Sequence, residues 1–143
     1  MPQILPHTYT VSVTAGQIGT VHITSPGLDA LPSEPPAQFN GSGKLWSPET
    51  LLVASVADCL VLAFRLIANT SQLQWTTLVC DATGTVSKEE GVTQFTEVHL
   101  NARLVLPAQT DRARARRALE KAKGACLVSN SLKCETSVSL EIV

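Results

Sequence analysis

Residues 47–69, SPETLLVASVADCLVLAFRLIAN, form the most apolar stretch of the chain. Ser47 is a capping residue, Pro48 suits the first helical position, and Glu49 sets a carboxylate against the positive end of the dipole. From Leu51 to Phe64 only Ser55 and Asp58 are strongly polar. A helix that is apolar all round is buried on every side. A membrane span needs about 20 apolar residues, and Asp58 and Arg65 interrupt the run before that. The stretch therefore predicts the core helix of a soluble domain, packed against its own sheet or against a second copy. Cys59 lies in its middle.

Bulk properties narrow the function classes. The chain has 143 residues and a formal net charge of −1, so one domain (1–143) is expected and no global field favours nucleic acid or an anionic membrane. Aromatic residues make up 4%, too few for a base-stacking platform. The start, MPQILPHTYTVS, lacks a basic region followed by an apolar run, which predicts a cytoplasmic protein. Four cysteines are too few for a disulfide scaffold, and none form a CxxC pair or a zinc-spaced cluster with His. No bound metal or cofactor is expected.

Outward from the helix, Tyr9, Val11 and Val13 alternate with threonine and serine, which predicts a strand, and residues 20–24 return as its partner after a Gly-containing turn. Residues 25–46 hold most of the prolines and read as a long irregular loop. After the helix, residues 75–86 read as a strand. Residues 92–106 then alternate with Val98, Leu100, Ala102 and Leu104 on one face, until Pro107 ends the run. Thr110 or Asp111 can cap a basic amphipathic helix to about Ala125, with Ala115, Ala118, Leu119 and Ala122 as its narrow apolar face. A connector over 126–133 leads to a last strand through Thr136, Val138, Leu140 and Ile142. The order is ββ-α-ββ-α-β: an α+β fold with an antiparallel β-sheet, a buried central helix and a second amphipathic helix.

A lone buried cysteine is usually packing material. The string SPETLLVASVADC, with a carboxylate ten positions before the cysteine, resembles the signature helix of the OsmC/Ohr family, the osmotically induced and organic hydroperoxide resistance proteins. GACLVSNSLK, between an amphipathic helix and the final strand, resembles that family's second-cysteine motif, and FNGSGKLWSPE resembles its lead-in. The likeness spans about residues 36–143.

The resemblance implies an intertwined homodimer and a thiol peroxidase acting on organic hydroperoxides in peroxide-stress defence. Cys59 matches the peroxidatic cysteine and Cys126 the resolving one. Glu49 matches the supporting glutamate, and an external dithiol, a dihydrolipoyl group on a carrier protein in relatives, is the expected reductant. Glu49 stands about 15 Å from Cys59 along the helix at 1.5 Å per residue, so any cysteine it serves belongs to the partner chain. One residue departs from the pattern. The family's activating arginine has no counterpart, because no arginine precedes Arg65. Gln17 and Gln38 fall where it would be expected, and Lys44 is the favoured substitute, with His22 or a basic residue of a partner chain as the alternatives. A mid-helix cysteine gains nothing from its helix's N-terminus, and burial raises its pKa. Cys80 and Cys134 read as packing residues, and His22 and His99 as strand residues. Two other readings stand beside the peroxidase: a non-enzymatic protein of the same fold holding a small apolar ligand, and a thiol redox sensor acting through the basic helix.

Overall fold

A computed structural model describes residues 4–143, and the chain divides into two compact units, Met1–Leu51 and Leu52–Val143. Residues 1–3 of the expected single domain lie outside the described residues.

In the first unit, β1 (Ser12–Thr14), β2 (Val21–Thr24) and β3 (Leu31–Ser33) form an antiparallel sheet in that order. β3 was not foreseen, because Pro32 sits inside it. The structure places β3 at the sheet edge, where a residue without an N–H is tolerated. Conversely, β1 is shorter than the alternation from Tyr9 implies. Tyr9 and Val11 remain exposed, so that alternation has no apolar surface in this unit to pack on. The supposed loop is thus part strand and part 3-10 turn (Ala37–Phe39), and it is drawn back by Glu34 N–H donating to the Trp46 carbonyl at 3.0 Å.

Helix α1 (Pro48–Thr70) begins at the end of this unit. Its start is closed reciprocally: Thr50 N–H donates to Ser47 Oγ at 3.1 Å, and Ser47 N–H donates to Thr50 Oγ1 at 2.9 Å. That is the capping-box arrangement with threonine in place of the usual Glu or Gln.

In the second unit, β4 (Thr77–Glu89) and β5 (Val92–Val105) form a long antiparallel hairpin. Its two-residue turn puts Glu90 at φ 49° and Gly91 at φ 78°, both left-handed, as a twist-matched hairpin turn requires. Helix α2 (Arg112–Ala125) is capped by Asp111, whose side chain accepts from Ala113 N–H at 2.9 Å. A one-turn helix, α3 (Leu127–Asn130), occupies the connector, and β6 (Glu135–Ile142) completes the sheet in the order β4-β5-β6. β6 runs parallel to β5, so the sheet is mixed rather than wholly antiparallel. The crossover through α2 and α3 makes this possible, since parallel neighbours need a long connection.

The core of this unit joins Val56, Leu60, Phe64 and Ala68 of α1 to Val98, Leu100, Ala102 and Leu104 of β5 and to the apolar face of α2. Phe64 meets Trp75 edge to face with ring centroids 5.3 Å apart. The expectation that α1 is buried on every side does not hold within one chain. The buried positions recur every fourth residue as a single stripe, and Leu62 and Leu66 are 48% and 68% exposed. The stripe is packed into the core, although α1 has the length and composition of a membrane span.

Gly84 on β4 sits where α1 and the hairpin approach most closely. A Cβ there would lie 2.5 Å from Val53 Cγ2 and 2.8 Å from the Phe95 ring. Gly84→Ala is expected to cost about 1–3 kcal/mol through overpacking, read as a lower urea midpoint at unchanged slope. Adding Val53→Ala should recover part of the loss; an additive double variant would place the strain elsewhere.

Candidate active site

Cys59 flanks the buried stripe of α1, one position before Leu60, and is half-buried. Cys126 ends α2 and starts α3 in an extended conformation (φ −71°, ψ 98°), and only 2% of it is exposed. These two elements bring the thiols together. The Cys126 thiol donates to the Val56 carbonyl of α1 at 3.9 Å, one turn before Cys59, and the two thiols lie near enough to shift each other's ionisation. The connector is braced around this point: Asn130 N–H and Ser129 Oγ both donate to the Cys126 carbonyl at 3.0 Å.

The pair is electrostatically unequal. Burial pushes the Cys59 thiol above its ordinary value, and Cys126 adds to that, while the backbone N–H groups of Val128 and Leu127 pull it down. Burial also raises Cys126, but the polar groups of Ser129, with Cys59 and Val128 N–H beside them, outweigh this and hold it below the ordinary value. Cys126 is thus the more acidic thiol of the pair. The first-turn N–H groups of α3 were invisible in the sequence reading, which found no helix terminus for Cys59. The terminus that serves it belongs to another helix, in a segment read as an irregular connector.

Cys80 and Cys134 pack against the core as partly buried residues. Burial, with smaller contributions from Asp81 and Cys126, pushes the Cys80 thiol up to about 11, which keeps it protonated. Asp58, next to Cys59, is exposed. His99 is a strand residue with both ring nitrogens engaged, to Ser137 Oγ at 2.6 Å and Ser139 Oγ at 3.1 Å across to β6.

The apolar residues of α1 that follow Cys59 have different surroundings. Leu60 and Phe64 belong to the core and Leu62 is exposed.

In the first unit, Glu49 Oε1 is shut off from solvent and has no hydrogen-bond partner among the described residues. Glu49 is one of the residues, between Val13 and Leu51, that line an apolar cavity of about 540 Å³. Lys44, the named arginine substitute, is exposed. Its backbone N–H donates to Glu34 Oε1 at 3.2 Å, and the one ion pair among the described residues joins Arg103 to Glu141. Gln17, His22 and Gln38 are likewise exposed.

A family model described as "OsmC-like protein" matches residues 41–141. YmaD of Bacillus subtilis, an uncharacterised protein, is 24% identical over 109 residues, 74% of this chain and 73% of its own. Among solved structures, an OsmC-like protein of unknown function from Vibrio cholerae superposes with a TM-score of 0.87 at 17% identity, over 94% of this chain and 99% of that one. An organic hydroperoxide resistance protein OsmC from Legionella pneumophila gives 0.73 at 24% identity, over 97% and 98%. The organic hydroperoxide resistance protein OhrB of Bacillus subtilis gives 0.66 at 22%, over 96% and 98%. With its motif helix, its paired cysteines and this match over most of its length, the chain belongs to the OsmC-like protein family.

Proposed function

We propose that this protein is a two-cysteine peroxidase that reduces organic hydroperoxides to alcohols. The observation that carries the reading is the placement of the Cys126 thiol on the Val56 carbonyl, one turn before Cys59 on α1. Names borne by relatives of the same fold, organic hydroperoxide resistance proteins, support the substrate class.

The Cys59 thiolate attacks the distal oxygen of the hydroperoxide. A sulfur–oxygen bond forms, the oxygen–oxygen bond breaks, and the alkoxide leaves as the alcohol after taking a proton. Cys59 is now a sulfenic acid, near the Leu127 and Val128 N–H groups that lower its pKa as a thiol. The Cys126 thiolate attacks that sulfur, hydroxide leaves as water, and a Cys59–Cys126 disulfide results. Two electrons have passed from the thiols to the peroxide. An external dithiol, of the dihydrolipoyl type, returns them.

The inequality of the pair suits the second step, because the more acidic thiol is the resolving one and is ionised first. The first step needs the less acidic thiol, so it gains with pH. The reading includes a homodimer in the cytoplasm. The exposed Leu62 and Leu66 on an otherwise apolar helix support a second copy packing there. Glu49 stays in the reading as a carboxylate serving the partner's cysteine, while Lys44 is the weaker assignment, since its neighbour here is Glu34.

Exposure to one equivalent of cumene hydroperoxide should lower the intact mass by about two units in the wild type. The Cys126→Ser variant should instead hold a trappable sulfenic acid, and Cys59→Ser should consume no peroxide. A Cys59 that remains a thiol through the pulse contradicts the reading, and favours the non-enzymatic alternative.

Alkylation mapped to Cys59 should accelerate roughly tenfold per pH unit between pH 6 and 8, because its raised pKa leaves the thiolate a minority throughout that range. Cys126→Ser removes a neighbour that raises Cys59, so the profile should move to lower pH. A profile unmoved by that change would show that the two thiols titrate independently.

A further inference from the structure

We infer that the outer face of helix α2 is the docking surface for an acidic protein that brings the reducing dithiol to the Cys59–Cys126 disulfide. The inference rests on the proposed function in one respect: it needs that disulfide to form. Helix α2 holds six of the chain's eleven lysines and arginines and one acid, Glu120, for a formal charge of +5. The whole chain carries −1, so everything outside α2 sums to −6. This segregation does not serve the helix. Its first turn contains Arg112 and Arg114 and no acid, the reverse of what the dipole favours, and Arg117 and Lys121 repel one turn apart. Arg112 and Arg114 are occupied, donating to the Ile142 and Ser71 carbonyls. Arg116, Arg117, Lys121 and Lys123 are exposed and reach no carboxylate at ion-pair distance among the described residues.

An acidic protein surface meets this charge, whereas an extended polyanion such as a nucleic acid also runs across the negative remainder. No aromatic residue of α2 offers a base a face to stack on. Beside the charges, Leu119, Val138 and Leu140 floor a groove of about 260 Å³ between α2 and β6, with Arg116 and Lys123 lining it too. That groove seats an apolar side chain of the partner among its carboxylates. The helix also leads to the chemistry: its last residue precedes Cys126, and Leu127 just beyond is 65% exposed. Cys59 is the less buried of the two sulfurs, so an incoming thiolate reaches it first. A bond forms from the carrier's sulfur to Cys59, the sulfur–sulfur bond breaks, and Cys126 leaves as a thiolate. The groups that lower its pKa make it the better leaving group. The carrier's second thiolate then attacks the carrier's first sulfur, and Cys59 leaves and takes up a proton. The carrier is oxidised to its own disulfide and the pair is reduced.

The full chain is oxidised with diamide, so that the assay does not depend on hydroperoxide chemistry, and is then reduced by two peptide probes. Each carries one dihydrolipoyl-lysine, flanked by four aspartates in one and by four serines in the other. At low salt the acidic probe should reduce the disulfide at least tenfold faster, and about 0.5 M sodium chloride should bring the ratio within about twofold. Arg117→Gln combined with Lys121→Gln should lower the low-salt ratio at least threefold, and Lys88→Gln, an exposed charge on β4, by less than about 1.5-fold. Reading the ratio cancels any change in the thiols themselves. A ratio near one, a ratio unmoved by the double variant, an equal loss in Lys88→Gln, or a cysteine pair that diamide does not join would each overturn the inference. Tighter binding to α2 of a single-stranded oligonucleotide than of a peptide of equal negative charge would overturn it too, assigning the helix to nucleic acid. If cumene hydroperoxide leaves Cys59 a thiol while the diamide-formed disulfide keeps the tenfold preference, the peroxidase reading fails and the docking surface stands.

Discussion

The burial of one stripe on α1 governs the second unit. Val56, Leu60, Phe64 and Ala68 must leave water together, and the surface that receives them is made by alternate residues of β5 and by the small-residue face of α2. That union requires close approach. Gly84 has no side chain where Val53 and Phe95 come in, and the face of α2 is three alanines and one leucine. With α2 held there and β6 laid parallel beside β5, the chain between them must cross near α1. Cys126 is delivered to the Val56 carbonyl by that crossing. The thiol pair is thus a consequence of core packing, and what chemistry it performs is tuned by the few polar groups admitted beside it.

Those groups favour ionisation of Cys126 over Cys59. Burial alone raises both cysteines. The N–H groups at the start of α3 lower both in part, but Ser129 acts on Cys126, and Cys126 itself works against Cys59. Within Leu52–Val143, Cys126 is therefore the more readily ionised thiol of the two. In the first unit, Glu49 Oε1 is a buried carboxylate oxygen with no donor among the described residues.

Much of this was legible from residue order. Ser47-Pro48-Glu49 announced the helix start and the structure closes it at Ser47 and Thr50. The alternation from Val98 to Leu104 named the buried face of β5, and Asp111 the cap of α2. What was hidden had physical reasons. Pro32 disguised β3, because a proline argues against a strand unless the strand is known to be at an edge. α3 is a single turn, too short for a period to register, yet its N–H groups bear on both sulfurs. The parallel pairing of β6 depends on a crossover whose path no local pattern encodes. Apolarity around all of α1 told where burial is possible, not which stripe one chain buries by itself.

The account's central claim is that Cys59 and Cys126 form one redox unit. The most direct test is a crystal structure of the protein after one equivalent of an organic hydroperoxide. The account predicts continuous density between the two sulfurs at about 2.05 Å, with Cys80 and Cys134 still thiols. A Cys59 sulfur carrying oxygen beside a reduced Cys126, or one bridged to Cys80, would contradict it.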